Sequence, residues 1–254
     1  MFELANSTIA GLAFPHSKEV HVWSLVAPEL GVDQWRSILS PDELVRSEKF
    51  HFEADQRSFI NRRGILRVIL ASYLDTLPAS VRFSYNVFGK PSIDGPLQVN
   101  NLRFNLSHSA HLLRIAVAVN SEVGIDVEVV DESVPIDSVA SKFFAPREIA
   151  ALEALPESLR RAGFFSCWTR KEAYIKARGL GLSMPLDSFD LSAEPGGSTI
   201  LVEKAGMNDV VHWRVKNLES NAHYSTAVAA MGRDWKVLRL TLKCRNGGFE
   251  VAGV

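Results

Sequence analysis

VGIDVEVV, residues 123–130, alternates apolar and acidic side chains behind a glycine. In an extended strand, residues two apart share a face. Asp126 and Glu128 therefore project together, while Ile125, Val127 and Val129 project to the other side and can bury. Two carboxylates side by side repel, and a sheet tolerates them only in open water or beside a cation. A solvated strand face is one reading. The sharp alternation, with Gly124 allowing close backbone approach at the head of the pair, supports another. In that reading the acids are hard oxygen ligands suited to Mg2+ or Mn2+ rather than zinc.

Working outward, LLRIAVAVN (112–120) reads as a second strand, with Asn120–Glu122 as a hairpin turn between the two. VHVWSLVA (20–27) alternates in the same way. SPDEL (40–44) is a helix start: Ser40 can cap, Pro41 suits the first helical position, and Glu43 completes a capping box. Helical pattern continues to Tyr73 with a break near Phe52–Asp55. FGKPSIDGP (88–96) is loop by its Gly and Pro content, and LRFNLSHS (102–109) begins as a strand and ends in a polar turn. APREIAALEAL (145–155) starts a helix after Pro146, and a further helix covers Cys167–Arg178. DSFDL, STILVEK, VHWRVKNL, YSTAVAAM and WKVLRLTL read as strands, giving a mixed α+β chain. Ala116-Val117-Ala118 recurs as Ala227-Val228-Ala229, a faint echo of duplication.

The helix in CWTRKEAYIKARGLGL (167–182) places Glu172 and Lys176 four residues apart on one face, with Trp168 on the same stripe. Gly179 suits the left-handed position that ends a helix. A surface ion pair is the plain reading of Glu172 and Lys176. The functional reading makes Glu172 a metal ligand or base and Lys176 a phosphate contact.

Composition narrows the classes. The 254 residues include 46% hydrophobic side chains, enough for a core, and 28 basic against 29 acidic residues give a net charge of -1. No global basic field points to nucleic acid or to an anionic membrane. Two cysteines form neither a disulfide framework nor a zinc spacing, and Cys167 reads as a small buried hydrophobe. No signal peptide and no membrane span is read, so a cytoplasmic protein is expected.

GIDVE (124–128) and WTRKEAYIKARGLGL (168–182) together resemble the two signature motifs of Sfp-type 4′-phosphopantetheinyl transferases. FGKP (88–91), FNLSHS (104–109) and GLSMPLDSFDL (181–191) resemble further segments of that family in its order, so the likeness spans roughly residues 57 to 191. The resemblance implies a pseudo-twofold monomer of two similar α+β lobes, divided here as residues 1–120 and 121–254, with coenzyme A in the cleft. It implies Mg2+-dependent transfer of the phosphopantetheine arm of coenzyme A to a serine of an apo acyl, peptidyl or polyketide carrier protein, releasing 3′,5′-ADP. Position by position, Asp126, Glu128 and Glu172 fall on the family's metal-binding acids. Lys176, Ser107 and His108 fall on coenzyme A contacts, and Arg57 and Lys90 fall on cationic positions around its 3′-phosphate end. Glu172, or a water held by Glu128, would take the serine proton. Arg62 is left as a solvated helix residue. Within 143–165, Arg147, Arg160 and Arg161 are candidates for docking an acidic carrier. A catalytically inactive binding module and a metal-dependent coenzyme A pyrophosphohydrolase are the alternatives.

Overall fold

The alternation in residues 20–27 becomes β1 (Glu19–Val26), and its two faces build two different cores. The computed structural model describes residues 8–9, 11–26, 32–95, 101–191, 198–204, 210–220, 223–245 and 248–253. Trp23 and Leu25 of β1 bury against α3 (Glu53–Leu74), while Val20 and Val22 face the opposite way. The same split recurs in β5 (Leu112–Val119): Leu113, Ile115 and Val117 join the α3 core, and Ala116 and Ala118 join Val20 and Val22.

β1 and β5 sit within a five-stranded sheet of order β11 (Gly248–Gly253), β10 (Lys236–Arg245), β1, β5, β4 (Leu102–Ser109). β1 and β10 run parallel and the other neighbours antiparallel. A second, antiparallel sheet orders β6 (Val123–Val129), β9 (Tyr224–Met231), β8 (Val210–Ser220) and β7 (Ser198–Lys204). β2 (Phe83–Tyr85) and β3 (Pro91–Ile93) form a small hairpin. The sheets and helices together make an α+β fold. Among the described residues, no helix is long and apolar enough to cross a membrane.

The helices follow their start and stop signals. α1 (Val32–Arg36) precedes α2 (Pro41–Ser47), where Glu43 accepts the Ser40 backbone N–H at 3.0 Å, as the capping box requires. α4 (Ile136–Phe143), α5 (Pro146–Glu153) and α6 (Glu157–Arg178) divide the apolar stretch 143–165, with Pro146 opening α5 and Pro156 preceding α6. α6 therefore begins ten residues before Cys167. It ends at Gly179, whose φ of 65° is the left-handed value expected there.

Other expectations change. The strands around Asn120–Glu122 are not a hairpin: β5 bonds β1 and β4, while β6 bonds β9. Their apolar faces meet instead, Ala116 and Ala118 packing with Val123 and Ile125 in the core between the sheets. LRFNLSHS stays extended to Ser109, and DSFDL is not a strand: its first two residues end a 3-10 turn at Leu186–Ser188. β10 and β11 complete the sheet of β1, so a boundary at residue 120 does not follow sheet membership for the last strands. The Ala-Val-Ala echo lies in β5 and β9, each next to the strand that ends its sheet, β4 and β6.

Candidate active site

Gly124 explains how β6 and α6 come together. A Cβ built there would stand 2.1 Å from the Ala173 carbonyl oxygen and 2.3 Å from the Ala177 nitrogen. The helix backbone thus lies directly on the strand, over the face that also carries Asp126 and Glu128. Glu172 and Lys176, flanking Ala173 and Ala177 in sequence, are brought to those acids. Lys176 Nζ stands 2.5 Å from Asp126 Oδ1 and donates to Ser107 Oγ at 3.0 Å. Ser107 donates to the same Asp126 oxygen at 2.9 Å.

β4 reaches this cluster across a seam. β4 and β6 each end their sheet, and side chains rather than backbone bonds join them. Asn105 Oδ1 accepts the Ile125 N–H at 2.9 Å. Ser109 Oγ accepts the Val129 N–H at 3.0 Å and donates to Glu128 Oε2 at 3.2 Å. Asn105, Ser107 and Ser109 are two residues apart, so one strand face supplies all three. Sequence alone assigns Asn105 and Ser109 no role of their own, although their period of two around Ser107 carries the signal.

The acids are crowded electrostatically. Burial first, then Asp126, pushes the Glu128 carboxyl up to about 7, with Glu172 adding to it and the Ser109 hydrogen bond and Lys176 opposing it. Glu172 is raised above the ordinary carboxylate range by burial and by Asp126. Asp126 is 2% exposed, and its Oδ2 is buried with no hydrogen-bond partner. A set of hard carboxylate oxygens short of positive charge fits Mg2+ or Mn2+. The side chains as they stand do not form a finished cage: among the described residues no three metal-ligating groups enclose a common point. The Lys176 ammonium supplies the cation at Asp126.

A cavity of about 290 Å3 opens beside Glu172 and Lys176, walled on the far side by Phe88, Gly89, Lys90 and Pro91. A second, of about 510 Å3, shares Gly89, Pro91 and Leu106 with it and carries Arg46, Arg62 and His108. His108 as a whole residue is exposed. Desolvation by its surroundings, then Arg62 and Lys176, holds its pKa down to about 4. It therefore offers a neutral imidazole at neutral pH.

The cations rearrange relative to the sequence reading. Arg57 lies exposed on α3 and is not among the residues lining these two cavities. Arg62, expected in solvent, is half-buried and lines the larger one. Arg63 lines the same cavity but is buried, as is Arg67. Both bond Glu43, at 2.8 and 2.7 Å. Lys90 lines the smaller cavity, but its ammonium bonds Glu122 Oε2 at 2.7 Å and the Ala177 carbonyl at 2.6 Å. Trp168 packs against Phe143 and Phe164, and Cys167 is fully buried. Arg147 is exposed, whereas Arg160 and Arg161 donate to loop carbonyls.

Two family models match the chain. Residues 122–229 match the 4′-phosphopantetheinyl transferase superfamily, and residues 27–120 match the N-terminal domain described as 4′-phosphopantetheinyl transferase, N-terminal. The chain is 36% identical over 222 residues to 4′-phosphopantetheinyl transferase HetI of Nostoc sp., covering 87% of this chain and 91% of that protein. It is 29% identical to a putative 4′-phosphopantetheinyl transferase of Synechocystis sp., covering 82% and 85%. It is 27% identical to 4′-phosphopantetheinyl transferase Sfp of Bacillus subtilis, covering 80% and 87%.

Proposed function

The chain belongs to the 4′-phosphopantetheinyl transferase superfamily, and from that premise we propose that it moves the phosphopantetheine arm of coenzyme A onto an apo carrier protein. The carrier's serine hydroxyl attacks the phosphorus that bears the pantetheine. A new P–O bond forms, the diphosphate P–O bond breaks, and 3′,5′-ADP leaves. The observation that carries this reading is the cluster of Asp126, Glu128, Glu172 and Lys176, drawn from a strand and a helix, of which Glu172 and Lys176 line a cavity walled by residues 88–91.

Asp126, Glu128 and Glu172 would hold Mg2+ or Mn2+, which would supply charge neutralisation for the diphosphate. Lys176 supplies a further cation within the same cluster and is suited to a phosphate oxygen. Ser107 steadies both Lys176 and Asp126 through its hydroxyl. His108, neutral before substrate arrives, can donate a hydrogen bond to a phosphate oxygen. The serine proton passes to a carboxylate, either Glu172 directly or Glu128 through a water. Arg46, Arg62 and Arg63 bring positive charge to the adjoining cavity, offset in part by Asp55, and Arg57 remains a candidate for an outlying phosphate contact. The protein is read as a cytoplasmic monomer with no nucleic-acid or membrane partner.

Incubation with coenzyme A, Mg2+ and an apo carrier, followed by intact-mass measurement of the carrier, tests the proposal. A covalent phosphopantetheine adduct is expected, and Glu172→Gln should abolish it without unfolding the protein. Free phosphopantetheine without an adduct would identify a pyrophosphohydrolase. Tight coenzyme A binding without reaction would identify an inactive module.

A further inference from the structure

The loop that walls the smaller cavity is fastened to the end of α6 at two points, by the Asn86 amide and by the Lys90 ammonium. Asn86 Oδ1 accepts the backbone N–H groups of Phe88 at 3.0 Å and Lys90 at 2.9 Å, folding the loop onto itself. The Asn86 carbonyl accepts the Gly89 N–H, and Gly89 takes a φ of 84°, which favours glycine at the tip. The other end of the amide, Nδ2, donates to the Gly179 carbonyl at 2.7 Å. Gly179 lies 93 residues further along the chain, at the end of α6.

The last carbonyls of a helix have no partner within it. Here the loop supplies two: Asn86 satisfies Gly179, and the Lys90 ammonium satisfies Ala177. The fit is close. A Cβ at Gly179 would stand 2.8 Å from Lys90 Cδ and 3.0 Å from Asn86 Nδ2. The cavity lies between these fastened parts, with Phe88 to Pro91 on one wall and Glu172, Ile175, Lys176 and Gly179 on the other. Its width is therefore set by the contacts that Asn86 and Lys90 make with the helix end.

We propose that Asn86 is a positioning residue for coenzyme A, whose amide ties the 86–90 loop to the C-terminal end of α6 and fixes the distance between the two walls of the cavity. The inference rests on the functional reading above. It also explains the residue type. The position needs an acceptor toward the loop and a donor toward the helix on one short planar group, which asparagine supplies and aspartate does not.

Asn86→Asp separates the two duties. It keeps an oxygen for the Phe88 and Lys90 N–H groups but sets a second oxygen against the Gly179 carbonyl. Amide hydrogen exchange of peptides covering residues 86–91 and 177–183, measured on the whole chain, should show faster exchange at the helix end. Calorimetric coenzyme A affinity should weaken about tenfold, the scale of one lost hydrogen bond made repulsive. KM for coenzyme A should rise in step, with kcat within about twofold. Asn86→Ala should release both segments. Unchanged exchange at 177–183 in Asn86→Asp would overturn the clamp. Faster exchange with unchanged affinity and KM would overturn the positioning role, as would a fall in kcat alone. A wild-type protein that bound no coenzyme A would refute the functional reading of the cavity and the positioning role with it, while the exchange measurement would still decide whether Asn86 fastens the loop.

Discussion

Gly124→Ala adds one methyl group where α6 crosses β6. Its Cβ would stand 2.1 Å from the Ala173 carbonyl oxygen and 2.3 Å from the Ala177 nitrogen, both backbone atoms, so no side-chain rotation relieves the overlap. Restoring an ordinary contact of 3.4 Å moves the helix away by about 1.3 Å at that point. Overpacking of this kind costs about 1–3 kcal/mol. The functional loss should be larger in proportion. Lys176 Nζ lies 2.5 Å from Asp126 Oδ1, and a retreat of about 1 Å takes that pair beyond hydrogen-bonding range. Misplacement by about 1 Å lowers a rate by about 10²-fold. Phosphopantetheine transfer to an apo carrier, followed by mass spectrometry under conditions where urea titration shows the variant still folded, should reveal that loss. A Gly124→Ala protein with wild-type transfer rate and wild-type urea midpoint would refute the account of how strand and helix build the site.

Lys176→Met removes the cation from a nearly buried Asp126 and the donor from Ser107. Transfer should fall by about 10² or more, read in the same mass assay at saturating Mg2+. Glu43→Ala leaves Arg63 and Arg67 without their shared buried carboxylate, and chemical unfolding should show a loss of about 3–5 kcal/mol. A loss under about 1 kcal/mol would mean that the pair contributes little to stability. Acidification should also destabilise the fold through His21. Burial lowers its pKa below the ordinary 6.5, with Glu19 offsetting part of the effect. The unfolded chain therefore takes up this proton at higher pH than the folded one. The contribution is complete above about pH 6.5 and falls as pH drops toward the folded value. Melting temperatures between about pH 7.5 and pH 5 should decline more steeply for wild type than for His21→Gln, and equal slopes would rule out this contribution.

Local periodicity made much of the molecule legible in advance. A repeat of two placed Asp126 with Glu128, and a repeat of four placed Glu172 with Lys176. A capping box opened α2, and glycine closed α6. Each of these depends on residues within a turn or two of one another, so the sequence alone determined them. Which strand pairs with which depends on contacts across long chain separations. β5 and β6, adjacent in sequence, joined different sheets, and their apolar faces pack together in one core. Burial of Arg63 and Arg67 required Glu43 about twenty residues away, and only the folded neighbours brought Arg62 to the wall of the cavity. The serines of β4 and the asparagine that fastens the cavity loop acquire their roles only once two sheets and a helix end are brought together. Backbone geometry acts over a few residues and is written in local spacing, whereas charge pairing and close packing are settled only by the folded neighbours of each side chain.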